Sequence, residues 1–467
     1  MPILIGSEYY LRQIQLQLGV GGILKIPVPP PPLNELIRNL AGAERFLSVL
    51  GQVQSSAMAG EYLAWDKLRH KQPPGDLNHE EWWFALRFAR NSVRRDLALL
   101  RQESGKPFSY TLPDVVLESM DEITRKTSGE IAISELVTNP ATRDRYLVSS
   151  LIEEAITSSQ LEGAVTTRQV AKEMLRTGRS PKTRSERMIL NNYRAIQRVT
   201  ELINTPLTPD LVCEIHRIVT EGTLDNPAAV GALQTDDAGR VAVWGNQGEL
   251  LHRPPAVAEL PERLERLCKF ANGLTEEGYV PPVLRSIAIH FMFGYDHYFE
   301  DGNGRTARAL FYWSMLRQGY WLAEFLTISR ILKKAPAQYA RSFLLTEQDE
   351  GDLTHFFSYQ LDVLSRAITE LYEYLAKKTE DLRTIQNNIR ALPGEFNYRQ
   401  LALLEHAIRT PDAIYSAHSQ AMSNKTSLET ARQDLSALEK RGFLERRKSG
   451  KRFVWVAVRD LAAKLNA

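Results

Sequence analysis

Through most of its 467 residues the chain repeats apolar side chains every three or four positions, which commits it to a mostly α fold. The stretch LNELIRNLAGAERFLSVL, residues 33–50, sets the pattern, and KQPPGD at 71–76 breaks it. Asn78 is placed to cap a second long helix, HEEWWFALRFARNSVRRDLALLRQE, whose first turn is acidic. Trp82 and Trp83 in that segment read as core anchors. Helices continue from about 112 to 230, punctuated by Pro140, Pro181, Pro206 and Pro209. Residues 231–255 change character. VAVW is a short β-type run set among Gly239, Gly245 and Gly248 and closed by Pro254-Pro255, which reads as one β-hairpin. Helical spacing returns from 257 and ends in a long helix from Asp352 to Arg390, stopped by Leu392-Pro393-Gly394. The resulting division is a helical N-terminal domain over 1–110, a core over 111–390 and a separate domain over 396–467. Residues 27–33, PVPPPPL, form polyproline II, which reads as a stiff lead-in strapped across the first domain.

A chain with 43% hydrophobic and 24% charged residues can build a sizeable core without disulfide or metal staples. Its cysteines, Cys213 and Cys268, lie in apolar helical contexts and read as buried free thiols, which fits a reducing cytoplasm. No apolar run approaches the roughly 18 residues needed to span a bilayer, and MPILIGSEYY lacks the pattern of a signal peptide. The expectation is therefore a cytoplasmic protein with no membrane partner. Net charge is only +2, but residues 396–467 hold 13 Lys/Arg against 7 Asp/Glu. The basic surplus sits at that end, as expected if it meets nucleic acid.

The chemistry concentrates in His297-Tyr298-Phe299-Glu300-Asp301-Gly302-Asn303-Gly304-Arg305-Thr306-Ala307-Arg308. Pro281-Pro282 opens a helix, VLRSIAIHFMFGYD, that is apolar nearly all round and so belongs in a core. TARALFYWSMLRQ is a second helix, ended by Gly319. The motif is the loop between them and runs into a helix N-terminus, where unpaired N–H groups and the positive end of the dipole suit phosphate. Gly302 and Gly304 admit a close backbone approach, and Asn303 adds a donor. Arg305 and Arg308, three apart, suit the outer phosphates of a triphosphate. Asp301 beside such a ligand calls for an intervening cation, and Mg2+ is the natural choice. His297 is a side chain able to take a proton near neutral pH.

These residues resemble the signature of the Fic (Fic/Doc) family, HPFxxGNGRxxR with an acid before the first glycine; Tyr298 stands where proline is usual. The resemblance implies a Fic-type helical core and transfer of AMP from ATP to a Ser, Thr or Tyr hydroxyl of a target protein, the chain itself included. It implies that His297 deprotonates the hydroxyl and Asp301 binds Mg2+. Gly302, Asn303, Gly304, Arg305, Thr306, Ala307 and Arg308 would bind the nucleotide, with Phe299 anchoring the loop. Upstream, Ser158-Ser159-Gln160-Leu161-Glu162-Gly163 resembles the family's inhibitory motif [S/T]xxxE[G/N], in the subclass that carries it on an N-terminal helix, here about 150–163. Ser158 and Glu162 share a helix face, Gly163 marks its end, and Glu162 would take Arg308 from the γ-phosphate. The hairpin, about 234–255, resembles the family's flap, with Val241, Ala242, Val243 and Trp244 as the edge that docks the target by strand addition. His216, His252 and His290 read as structural histidines.

Residues 396–467 read as three helices and a β-hairpin, similar to a winged helix-turn-helix. Ser427, Thr430, Arg432 and Gln433 would face a DNA groove. Arg446, Arg447, Lys448, Lys451 and Arg452 would meet phosphates from the wing. Two alternatives stand beside protein adenylylation: a DNA-binding transcriptional regulator whose Fic core senses nucleotide, and a Fic enzyme that uses another nucleotide or removes AMP. The reading leaves room for a homodimer.

Overall fold

The helices flanking the motif are buried on nearly every side, as an apolar surface all round requires. In the computed structural model, residues 25–40, 42–53, 57–128, 140–240, 243–244, 250–275, 278–390, 396–410, 413–424, 426–449 and 452–465 are described. The chain divides into two compact units, Met1–Gly129 with Ser149–Thr369, and Glu130–Val148 with Glu370–Ala467.

The first unit opens with residues 25–32 in extended form. Val28 N–H donates to Asp66 Oδ1 at 2.8 Å, Gln348 donates to the Pro27 carbonyl at 3.0 Å, and Arg341 donates to the Lys25 carbonyl at 2.9 Å. The proline-rich stretch is thus a strap. Helices α1 (Leu33–Asn39), α2 (Gly42–Val53), α3 (Trp65–Leu68) and α4 (His79–Asn91) follow. They bury Leu36, Val49, Val53, Leu68, Trp83 and Phe84 in one cluster. Asn78 caps α4 through a reciprocal capping box with Glu81.

The sequence reading carries α4 through to residue 103, and here the structure differs. The helix stops at Asn91, and β1 (Arg95–Arg101) pairs antiparallel with β2 (Pro107–Tyr110). A register shift between Leu97 and Arg101 breaks the alternation. The buried residues Leu97 and Leu100 therefore fall three apart, the spacing of a helix.

Next come α5 (Asp114–Ser128), α6 (Pro140–Leu161), α7 (Arg168–Thr177), α8 (Arg184–Glu201) and α9 (Pro209–Thr220). Thr167, Thr183 and Thr208 cap the last three through their hydroxyls. Among the described residues of the hairpin, β3 (Val243–Trp244) pairs antiparallel with β4 (Leu250–His252). Then α10 (Leu260–Ala271), α11 (Pro282–Asp296), α12 (Asn303–Arg317), α13 (Ile328–Lys334), α14 (Pro336–Gln348) and α15 (Thr354–Arg390) complete the order. The core centres on α11 against α12, with α8 and α9 across α12 and α10 against α11.

Asp349, Asp352 and His355 bring ligand-type atoms within 4.8 Å of one another, all buried. Cations already face them: Arg87 lies 3.5 Å from Asp349 and Arg94 lies 3.7 Å from Asp352. Tyr62 donates to Asp352 at 2.5 Å, and His355 sits 2.9 Å from Asp349. The cluster is an ionic clamp joining the α4 segment to the start of α15.

In the second unit the order is α16 (Tyr398–Arg409), β5 (Ile414–Tyr415), α17 (Ala417–Asn424), α18 (Leu428–Lys440), β6 (Leu444–Ser449), β7 (Arg452–Ala457) and α19 (Leu461–Lys464), with sheet order β5-β7-β6. The sequence reading missed β5, whose two residues are too few for any period. Leu404, Tyr415, Leu435, Leu438, Leu444 and Trp455 form this unit's core. Among the described residues, no helix is long and apolar enough to cross a membrane.

Candidate active site

Helix α11 ends at Asp296, and His297 takes a left-handed backbone, φ 51° and ψ 59°. Glycine usually fills such a position. The carbonyls that follow would be orphans at a buried helix end. Each of four in succession has a donor: the Tyr295 carbonyl faces His252 Nε2 at 2.8 Å, those of Asp296 and His297 accept from Arg240 at 2.8 Å each, and that of Tyr298 accepts from Gln234 N–H at 3.0 Å. Beyond them Asn303 folds back onto the loop. Its amide donates to the Phe299 carbonyl at 2.7 Å and accepts from Phe299 N–H at 3.0 Å.

His216 supports the loop from α9. Its Nδ1 accepts from Gly231 N–H at 3.0 Å, so Nε2 bears the proton and donates to the Asp301 carbonyl at 2.8 Å. Its ring stacks on the fully buried Phe299, centroids 3.7 Å apart and planes 4° from parallel. Burial pushes this imidazole down to about 4. Gly302 closes the loop at φ 85°, and a Cβ there would lie 2.6 Å from Thr220 Cγ2.

Tyr298, the departure from the signature, donates to Asp296 Oδ2 at 2.5 Å. Asp296 is fully buried and pairs with Arg263 at 2.7 Å. The tyrosine hydroxyl completes the partners of a carboxylate that would be costly to bury alone.

The cradle is the first turn of α12. Gly302 is its cap, so the outward N–H groups are those of Asn303, Gly304 and Arg305. Thr306 N–H is taken by the Gly302 carbonyl at 3.0 Å, and Ala307 lies a residue deeper in the helix. Asp301 keeps a third of its side-chain surface exposed, accepts from Gly302 N–H at 2.5 Å and stands 3.7 Å from Arg305. Arg305 is buried, donates through Nη1 to the Val219 carbonyl at 3.1 Å, and its Nε and Nη2 make no hydrogen bond. Among the described residues Arg305 therefore keeps one hydrogen bond, with the Asp301 carboxylate 3.7 Å from Nη2.

Arg308 is differently engaged. It donates to Ser158 Oγ at 2.8 Å, to the Ser158 carbonyl at 3.1 Å and to Glu162 Oε1 at 2.7 Å. A Cβ on Gly304 would collide with that same Glu162 oxygen, so the carboxylate lies directly on the cradle. Two turns upstream on α6, Glu154 is fully buried and accepts from both the N–H and the hydroxyl of Ser329 on α13. Gly163 follows the helix at φ 88°.

The other candidates named from the sequence are placed less tightly. Val241 and Ala242 lie outside the described residues, and Val243 and Trp244 form β3. Cys213 is half-buried where the sequence suggested burial; Cys268 is buried. In the second unit, Ser427 caps α18 and bonds Thr430 at 2.9 Å. Arg432 and Gln433 are exposed on α18, Arg432 pairing Glu429 at 3.2 Å. Arg446 pairs Glu439, Arg447 pairs Glu445, and Lys448 is exposed on β6. Arg452 opens β7, and Lys451 lies outside the described residues.

The mostly α architecture and the helix–loop–helix anion cradle together define a class of protein. Residues 206–315 match the model of the Fic/DOC family, so the chain carries a Fic/DOC family domain. A Fic family protein from Desulfovibrio desulfuricans G20 superimposes with a TM-score of 0.50 at 18% identity, over 75% of this chain and 98% of that one. A fragment of Fic-1 from C. elegans gives a TM-score of 0.45 at 18% identity, over 74% and 84%. The first of these supports the fold. Ser158–Gly163 precede the matched stretch.

The buried groups have measurable consequences for stability. Tyr298→Phe should lower unfolding stability by about 1–3 kcal/mol, because Asp296 loses a buried donor; urea titration measures it. Burial pushes His297 down to about 3, helped by the nearby Arg240 and His252 charges, and burial pushes His290 to about 3. With His216, three imidazoles stay neutral when folded but take protons below about 6.5 when unfolded. Their contribution is present above that pH and is lost as pH falls. By pH 5 each should cost roughly 2 kcal/mol, so the melting temperature should drop steadily from pH 7 to pH 5.

Proposed function

We propose that this chain is a self-inhibited protein adenylyltransferase that transfers AMP from ATP to a hydroxyl of a target protein. The observation that carries the reading is the state of the two arginines of the cradle. Arg305 keeps donors without partners, while Arg308 is held by Ser158 and Glu162.

In this reading the triphosphate lies across the first turn of α12, where main-chain N–H groups and the helix dipole favour anions. Arg305 and Arg308 grip the outer phosphates. Asp301 offers a hard carboxylate oxygen at the rim beside the unpartnered Arg305 donors, a donor that suits Mg2+ shared with phosphate. Bound there, the ion would neutralise phosphate charge. The target hydroxyl attacks the α-phosphorus, the His297 imidazole takes its proton, and pyrophosphate leaves. Burial holds His297 well below its ordinary basicity, so the free ring is neutral throughout the physiological range. Glu162 blocks the site by occupying Arg308 and crowding Gly304, which denies the outer phosphate its place.

Glu162→Gly should raise transfer of labelled AMP, onto a target or onto the chain itself, by at least tenfold in ATP and Mg2+. No increase would sink the inhibition model. His297→Ala in that background should abolish transfer while ATP affinity stays within a few-fold, measured calorimetrically. Mass spectrometry of the product distinguishes AMP from another nucleotide group.

A second reading concerns residues 396–467. The order helix, strand, helix, helix, hairpin, with β5 beside β7, supports a winged helix, and the chain's basic surplus lies here. We propose that α18 and the β6–β7 wing bind DNA. The pair Arg447–Glu445 is exposed and worth little, so phosphate can displace it, while Arg446 pairs with a half-buried Glu439 that also accepts from Trp455. Changing Arg446, Arg447 and Lys448 together to Glu should weaken duplex binding at least tenfold in fluorescence anisotropy and leave AMP transfer unchanged; equal DNA affinity would refute the assignment.

A further inference from the structure

The segment from Gln234 to His252 grips the loop that bears His297. Its donors take four consecutive carbonyls, Tyr295 through Tyr298. Arg240 contributes the central pair. One guanidinium spans two successive main-chain oxygens, which its planar fork can do and a single ammonium cannot. The same Nη1 also donates to Gln234 Oε1 at 3.1 Å, which ties the centre of the grip to its first residue.

At the far end, His252 has a carboxylate on one ring nitrogen, Glu347 at 2.7 Å, and a carbonyl on the other, Tyr295 at 2.8 Å. Two acceptors require two ring protons, so this imidazole is charged. The direction of its shift agrees: burial opposes the charge, and the Glu347 charge and hydrogen bonds outweigh it to raise the group. Two cations from the hairpin thus cap the C-terminal end of α11, where the dipole favours them.

We propose that Arg240 is a positioning residue for the transfer reaction, fixing, with His252, the main chain that carries His297 so that the hairpin and the base move as one piece. The left-handed backbone at His297 is what needs fixing. A residue with a Cβ does not hold that conformation by its own preference. Arg240 bonds to the carbonyls on both sides of the His297 nitrogen–carbon unit, those of Asp296 and His297 itself. These bonds set the plane of each peptide and hence the direction of the imidazole. They end on main-chain carbonyls of the loop, while the imidazole itself meets Asn303 Nδ2, at the start of α12, at 3.3 Å.

This inference rests on the reading of His297 as the base, and its test separates the two. In the Glu162→Gly background, Arg240→Gln should lower kcat roughly 10–100-fold, the scale of an ångström of misplacement, with KM for ATP within twofold. Arg240→Lys, which can serve one carbonyl at a time, should recover part of the loss. A role in stability alone would lower kcat only through loss of folded protein, so the fall would vanish once rates are normalised to the folded fraction measured by circular dichroism. Amide hydrogen exchange supplies the second readout: Arg240→Gln should speed exchange in peptides covering 295–303 and leave those of α8 and α10 unchanged. If Glu162→Gly itself transfers nothing, the adenylyltransferase reading fails, and exchange still decides about Arg240. Unchanged kcat in an active parent, or unchanged exchange at 295–303, overturns the positioning role.

Discussion

A stretch of irregular backbone buried between two core helices must satisfy every polar group it carries, and this requirement governs the protein around residues 295–303. The solution uses parts from distant places in the chain. His216 on α9, Gln234, Arg240, His252 on β4 and Asn303 each supply a donor. Burial makes each bond count, because water cannot replace one that is lost. The same burial keeps the loop rigid, so His297 stands at a helix end with a defined direction. Buried packing around α11 and α12 is therefore a condition of the site's geometry.

The cradle inherits its electrostatics from that arrangement. Gly302 in a left-handed turn precedes the first N–H groups of α12, and Arg305 is buried between the Val219 carbonyl and Asp301. Glu162 is well matched to such a place, a carboxylate on a helix whose register Glu154 fixes through Ser329. Ser158 and Glu162 then meet Arg308 from one face of α6, as residues four apart on a helix must.

Much of the site could be read from the sequence because its chemistry is contiguous. His297, Asp301, the glycines and the arginines fall within one loop and one helix turn, where spacing implies geometry. The meeting of Glu162 with Arg308 was implied by the resemblance to the family's inhibitory motif; helical spacing alone put Ser158 and Glu162 on one face and named no partner. What escaped was set by distant partners. The stretch RDLALLR carries its buried leucines three apart because a bulge resets a strand, and no local pattern separates that from a helix turn. Arg240 resembles an ordinary surface residue until the carbonyls it caps are known, and His252, read as structural, shows nothing in sequence of the carbonyl it meets. Tyr298 reads as an irregularity until Asp296 and Arg263 are found beside it.

Glu162 is tied to the cradle by its own chain, and this has a consequence for control. A tethered group competes at a fixed effective concentration, whatever the amount of protein present. On the proposed reading, occupancy of Arg308 is then a contest between that constant and the level of free nucleotide. Dilution would not release the block, and crowding would not deepen it. The set point would be written into how firmly Glu154 and Ser158 hold α6, so evolution could retune the threshold one hydrogen bond at a time without touching a residue that meets the substrate.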